Sequence, residues 1–280
     1  MPDCNGAVGE VLVHRTYIMQ NQISPARPGD QMSFAPDAFR HHPGLISKIR
    51  DPETSFFRDL DLTEVDEKWA EAGEVHVPRY PDEVREAMRK EALGAYWGSD
   101  IWVFAYGSLM WDPAVYFAEV RRARLPGYHR SFCLVDRSGG RGTSEAPGLM
   151  AGLDEGGDCD GLVFRLAAET ADRESEIIWR REMMAPCYKA VFAPVETAHG
   201  EVQALCFVAD PAAEMIDTDL SHADRVRYLA TGSGHLGTSL EYLERVVAGC
   251  HELRIDDPEL EALLAEVYAA QGKDCSSLCA

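Results

Sequence analysis

Residues 103–111 read VFAYGSLMW, an apolar and aromatic run broken by Gly107-Ser108 with Tyr106 at its lip. A turn has no need of a tyrosine there, whereas a binding loop does. Gly107 can adopt backbone angles closed to other residues. Consecutive amides in such a turn can point inward and form a nest for an anion or a polarised carbonyl. A plain strand-to-loop turn stays open as the alternative. The second candidate is Glu182, in WRREMMAPCY, where a helical segment ends between Arg180-Arg181 and Met183-Met184. A carboxylate among apolar neighbours titrates high, which suits a general base near neutrality. Its alternative is a surface salt bridge to Arg180 or Arg181.

Two glycine-rich stretches carry weaker signals. RSGGRGTSEAPG (137–148) separates two apolar runs and reads either as a functional loop or as a loose hairpin tip. GSGHLG (232–237) matches the dinucleotide pattern, but that pattern must follow a strand, and ADRVRYLAT before it is helical in character. It reads instead as a helix stop at Gly232–Gly234 and a new helix start near Thr238-Ser239, capped by a hydroxyl. Ser233 is no hydrolase nucleophile, because GxSxG requires glycine at 231 and the chain has threonine. His41-His42 has no second ligand cluster at zinc spacing, so no metal site is expected. The eight cysteines show no CxxC and are expected as free thiols of a reduced cytosolic protein. Cys133, Cys187 and Cys206 fall in apolar runs and are expected to be buried.

The elements around these residues fall into two groups. TEVDEKWAEAG and residues 80–97 read as helices, the second with Val84, Met88, Ala92 and Ala95 on one apolar side. From residue 101 on, IWVFAY, AEVRRARL, HRSFCLVD, GLMAGL, GLVFRL, YKAVFAPVE and VQALCFVA are strand-like runs between Gly, Asp, Pro or Ser. One helical segment, residues 170–184, interrupts them, and after residue 218 the pattern is helical. Strands first and helices last predict an α+β fold: a sheet of about six or seven short strands curled into a small barrel with helices outside. Residues 1–40, rich in Pro, Gly, Asn and Gln, read as a mobile or wrapping arm.

Composition limits the partners. Acidic residues outnumber basic ones 47 to 27, for a formal charge of −20, so nucleic acid and anionic membrane are not expected partners. RRAR at 121–124 reads as the solvated face of a strand. No signal peptide and no membrane-spanning run are visible, which predicts a soluble cytoplasmic protein.

FAYGSLMW, RGTSEAPGL, GGDCDGLVFRL, RREMM…Y and ATGSGHLGTSLEYL occur in the order found in ChaC-type γ-glutamylcyclotransferases, which the chain resembles from about residue 100 to 270. The resemblance implies a small mixed β-barrel flanked by helices, acting without cofactor or metal on a small-molecule substrate. It implies cleavage of glutathione to 5-oxoproline and Cys-Gly. It assigns substrate binding to Tyr106, Gly107, Ser108 and Leu109, and acid/base catalysis to Glu182. Relatives commonly carry Gly-Thr-Pro-Glu where this chain has Gly142-Thr143-Ser144-Glu145. The missing proline loosens the loop but removes no reacting group. The expected organisation is an N-terminal extension (1–98), partly helical and without assigned function, a catalytic domain (99–272) and a short tail (273–280). Two alternatives remain: the same chemistry on another γ-glutamyl amine or peptide, and a non-catalytic regulator on the same fold, associated with cation transport.

Overall fold

The strand-like runs form five strands around the barrel rather than six or seven. In the computed structural model, which describes residues 34–35, 37–71 and 78–273, β1 is Ile101–Ala105, β2 Glu119–Ser138, β3 Thr143–Leu166, β4 Tyr188–Thr197 and β5 Val202–Ala209. AEVRRARL and HRSFCLVD are one strand, and GLMAGL and GLVFRL are another. The breakers do not end these strands because they lie opposite each other. Pro126 pairs with Asp158 and Tyr128 with Glu155, so Gly127 and the Gly156-Gly157 pair sit at one level. All three glycines have positive φ, at 84°, 95° and 66°. Together they make a bulge that bends both strands at once.

The order β1-β3-β2-β4-β5 closes into a barrel, with β1 and β5 paired in parallel through Trp102–Ala204 and Val103–Leu205. Closure leaves no open edge at β1, whose end carries Tyr106. Phe104, Phe164, Phe207, Leu125, Leu149, Leu153 and Leu162 fill the core.

Among the described residues six helices surround the barrel: α1 (Leu62–Glu71), α2 (Asp82–Ala92), α3 (Ala171–Glu182), α4 (His222–Thr231), α5 (Ser239–Leu253) and α6 (Pro258–Ala270). GSGHLG behaves as its sequence context predicts. Helix α4 stops at Gly232, a two-stranded ribbon of β6 (Ser233–Gly234) and β7 (Gly237–Thr238) follows, and α5 starts under a Thr238–Glu241 capping box. The apolar side expected of α2 is only partly its buried side: Met88 and Ala92 pack against the core, but Val84 and Ala95 are exposed, and Arg85 and Arg89 are buried. Arg89 donates to Ser175 Oγ (2.8 Å) and Asp172 Oδ1 (2.8 Å) on α3. A long side chain buries its aliphatic stem and still places its charged head on an acid, so an arginine face docks this helix.

The described part of residues 34–98 contributes to the same core. Phe39, Leu45 and Ile49 are buried in it, and Phe34 packs on Phe117 at 4.6 Å between ring centroids. Cys133, Cys159, Cys187, Cys206 and Cys250 are free and buried. Cys4, Cys275, Cys279 and nearly all of the expected arm lie outside the described residues. Among the described residues no group of three His, Cys, Asp or Glu is arranged to hold a metal, and no helix is long and apolar enough to cross a membrane. Of RRAR only Arg124, paired with Asp158, lies on a solvated strand face; Arg121 is mostly covered and pairs with the buried Glu119.

Candidate active site

The loop after β1 is held from several distant points of the chain. Tyr106 offers its carbonyl to Arg130 Nε at 2.7 Å. Arg130 also donates to Asp160 O (2.8 Å) and pairs with Asp257, the cap of α6. Within the loop, Met110 N donates to Gly107 O and Asp112 N to Ser108 O, both at 2.9 Å. These bonds use the loop's carbonyls. The amides of Gly107 and Ser108 have no protein acceptor among the described residues, so they are available to a ligand. Leu109 is buried in the main core and anchors the loop by its side chain. Gly107 has φ −129°, so it does not need the left-handed conformation that its sequence context suggested. The tight part of the turn is taken by the short 3-10 helix Ser108–Met110. A Cβ on Gly107 would meet only the Tyr242 hydroxyl, at 3.5 Å. Its hydrogen atom therefore faces the site.

Glu182 is the last residue of α3, and its side chain is only 14% exposed. It pairs with Arg181, Nε to Oε1 at 3.1 Å. That is one of the two salt bridges the sequence allowed, but it is buried: the Arg181 side chain is 5% exposed. Arg180 pairs instead with Glu176. Burial pushes the Glu182 carboxyl above its ordinary value, and the Arg181 charge opposes this in part. Arg181 also reaches the loop. Its Nη2 donates to Ser108 Oγ at 2.7 Å and its Nη1 to the Asp112 carbonyl. One guanidinium thus joins the carboxylate to the serine of the loop.

Three tyrosines complete the site. Tyr106 and Tyr188 lie close to each other, and both feel the Glu182 charge. Tyr188 Oη also donates to Ala151 O at 3.2 Å. Tyr242, on α5, meets the same Ala151 backbone and lies under Arg141, whose guanidinium is 4.9 Å from the ring centroid. Burial, with the Glu182 charge added, raises the titration of all three, so they remain neutral hydrogen-bond donors at physiological pH. Arg141 stands on the turn between β2 and β3. The glycine-rich stretch 137–148 is therefore neither a long loop nor a loose tip. Its turn is fixed by His235 N to Gly139 O (2.9 Å), Leu236 N to Gly140 O (2.8 Å) and Arg141 Nη1 to Thr238 O (3.0 Å). Glu145 is exposed on β3. A separate cleft of about 460 Å³ between α2 and α3 is lined by Arg85, Arg89, Asp172 and Arg180, which are all ion-paired, and it contains none of these site residues.

Residues 101–270 match the family described as ChaC-like protein. The chain belongs to that family. Among its relatives, the glutathione-specific γ-glutamylcyclotransferase of Escherichia coli K12 is 38% identical over 168 residues, 60% of this chain and 72% of that one. The glutathione-specific γ-glutamylcyclotransferase 1 of Danio rerio is 30% identical, over 61% of this chain and 90% of that one. A crystal structure of the yeast γ-glutamyl cyclotransferase specific to glutathione superposes with a TM-score of 0.55, at 20% identity over 61% of this chain and 96% of that one. At that identity the likeness supports the barrel fold alone. In this ChaC-like protein the five residues singled out in the sequence, Tyr106, Gly107, Ser108, Leu109 and Glu182, come together at one end of the barrel. Sequence reasoning did not single out Arg130, Arg141 or Tyr242. Tyr242 lies in LEYLERV, where an aromatic at helical spacing looks like any core residue.

Proposed function

We propose that this ChaC-like protein is a γ-glutamylcyclotransferase that cleaves glutathione into 5-oxoproline and Cys-Gly, with Glu182 as the acid/base and Tyr106, Gly107, Ser108 and Leu109 holding the γ-glutamyl group. The observation that carries this reading is the Arg181 bridge: it fixes a buried carboxylate of raised pKa against a loop with two unspent amides. The substrate brings its own nucleophile. Its α-amine attacks the γ-carbonyl, the N–Cδ bond of the five-membered ring forms, and the bond from that carbon to the cysteinyl nitrogen breaks. Glu182 takes one proton from the α-ammonium, which frees the amine to attack, and the ring nitrogen sheds a second as it becomes the lactam N–H; the leaving nitrogen takes up both, one of them from Glu182, and departs as the Cys-Gly ammonium, so no proton is gained or lost overall. Folding the substrate into the attacking shape supplies proximity. Amides of the loop meet either the α-carboxylate or the oxygen that becomes negative on attack. Tyrosine hydroxyls held neutral by burial donate to the same anionic groups.

The chemistry itself calls for no metal, cofactor or water. Five buried free thiols suit a reducing cytoplasm, and the charge of −20 disfavours nucleic acid. The same site accepts another γ-glutamyl amine if the leaving amine is recognised weakly. The retained glutamate speaks against a non-catalytic regulator. Purified protein incubated with glutathione and with γ-glutamyl dipeptides, with 5-oxoproline measured, separates these cases. Release from glutathione, unaffected by a chelator, is expected. Release from a dipeptide alone would move the substrate, and release from none would reject the activity.

A further inference from the structure

The guanidinium of Arg181 has one more neighbour. The ring of Phe57 lies over it, with its centroid 3.9 Å from Cζ. Phe57 belongs to the segment before residue 98, outside the 101–270 span that the family matches. Its neighbours are clamped to the same elements. Arg58, with a side chain 4% exposed, donates to Glu174 on α3 at 3.0 Å and to Ala114 O at 3.1 Å. Its carbonyl accepts from Arg180 Nη2 at 2.8 Å. Upstream, Arg50 N donates to Trp111 O at 2.8 Å, and Arg50 Nε stands 3.4 Å from Asp112 Oδ2. The segment thus grips both α3 and the turn that follows the loop, and between these grips it lays an aromatic face on Arg181.

A stacked ring limits the guanidinium to one plane and keeps water off that face. Both effects strengthen the cation's hold on its partners. We propose that Phe57 is a positioning residue for the reaction, fixing Arg181 in the orientation that joins Glu182 to Ser108. The part of this inference that concerns turnover rests on the γ-glutamyl reading above; the part that concerns Arg181 does not. The segment outside the family match then completes the site in this chain.

Phe57→Ala, Phe57→Leu and Phe57→Trp in the full chain test it, with circular dichroism to establish folding. Leucine keeps the apolar filling without a ring face, and tryptophan keeps the face. The alanine and leucine variants are expected to lose roughly tenfold in kcat, with KM within about threefold of wild type, and tryptophan to restore kcat within about twofold. The second readout does not depend on activity: titration of the Glu182 carboxyl by carbon-13 NMR. Glu182 is faced by Arg181, Tyr106, Tyr188, Tyr242 and Cys187, and of these only Arg181 is charged near neutrality. Phe57 touches Arg181, so wetting that cation in the alanine variant should raise the Glu182 midpoint. A leucine variant with wild-type kcat would reduce Phe57 to filling and overturn the proposal. So would a Glu182 midpoint that stays put or falls in the alanine variant. If wild-type protein releases no 5-oxoproline, the γ-glutamyl reading fails, and the titration still decides the role of Phe57.

Discussion

Replacing Glu182 by glutamine isolates proton transfer from every other function of the site. The amide oxygen can still accept from Arg181 Nε, which lies 3.1 Å away in the wild type. What disappears is a group that can take up and release a proton. General acid–base catalysis contributes about 10²–10⁴-fold, or roughly 3–5 kcal/mol of barrier. The loss here belongs to the upper part of that range for two reasons. One carboxyl serves both the ammonium and the leaving nitrogen, so both transfers fail together. The nearby hydroxyls of Tyr106, Tyr188 and Tyr242 are driven to still higher pKa by burial and are poor bases near neutrality. We expect kcat for 5-oxoproline release to fall about 10³-fold or more, with glutathione binding by titration calorimetry within about threefold of wild type.

The same variant carries a signature in stability. The Glu182 carboxyl titrates higher in the folded protein than its ordinary 4.5. The native state therefore keeps this proton over a range where the unfolded chain has released it. That contribution is fully present below the unfolded value and is lost as pH rises through the folded one. Glutamine has no such dependence, so the Tm of Glu182→Gln minus that of wild type should grow more positive across this window and then level off. The acid limb of wild-type kcat should likewise lie above 4.5. A Glu182→Gln protein that turns over within about threefold of wild type, only ~0.65 kcal/mol, would remove Glu182 from the mechanism.

Other substitutions probe the surroundings. Gly107→Ala should raise KM, because the methyl enters the site beside the Tyr242 hydroxyl, 3.5 Å away; substrate titration reads this, with thermal melts to establish that the variant is folded. Arg58→Ala should destabilise by about 3–5 kcal/mol in urea unfolding. It leaves the Glu174 carboxylate, itself 2% exposed, without its cation. Arg58→Met with Glu174→Leu should recover much of that loss. Burial pushes the thiols of Cys133, Cys159, Cys187 and Cys206 up to about 12. These four should resist a thiol-specific disulfide reagent at mildly alkaline pH until the chain is unfolded, and fast labelling of any one in the native protein, identified by mass spectrometry, would contradict the packing.

Local signals made part of this molecule readable from its residues. Tyr106 and Glu182 each stand where one element ends, and element ends leave marks in sequence: a Gly-Ser break after an apolar run, or a charged cluster between Trp179 and Met183. Their meeting is tertiary and came only through the resemblance. The strand count failed because Pro126-Gly127 and Gly156-Gly157, read singly, are stops. Only their pairing across the ladder turns them into a shared bend. The buried face of α2 was read only in part, through Met88 and Ala92, because an apolar-periodicity rule takes Arg85 and Arg89 for solvent-facing residues. Arg130 and Arg141 were equally invisible, since a charge that will be buried looks the same in sequence as one that will not.

The loop at 106–112 owes its shape to groups that reach the ribosome exit at very different times. Arg50 is synthesised before it, Arg130 and Arg181 after it, and the Asp257 that pairs with Arg130 later still. A nascent chain can build most of the barrel by residue 209, but the carbonyl of Tyr106 gains its complete bracing only once the cap of α6 has been made. Catalytic competence therefore waits until residue 257 has been made. A chain interrupted before residue 257 would keep Tyr106, Ser108 and Glu182 and lack the geometry to use them. Such fragments are expected to be inert rather than weakly active, so a stalled or prematurely terminated product would not consume substrate.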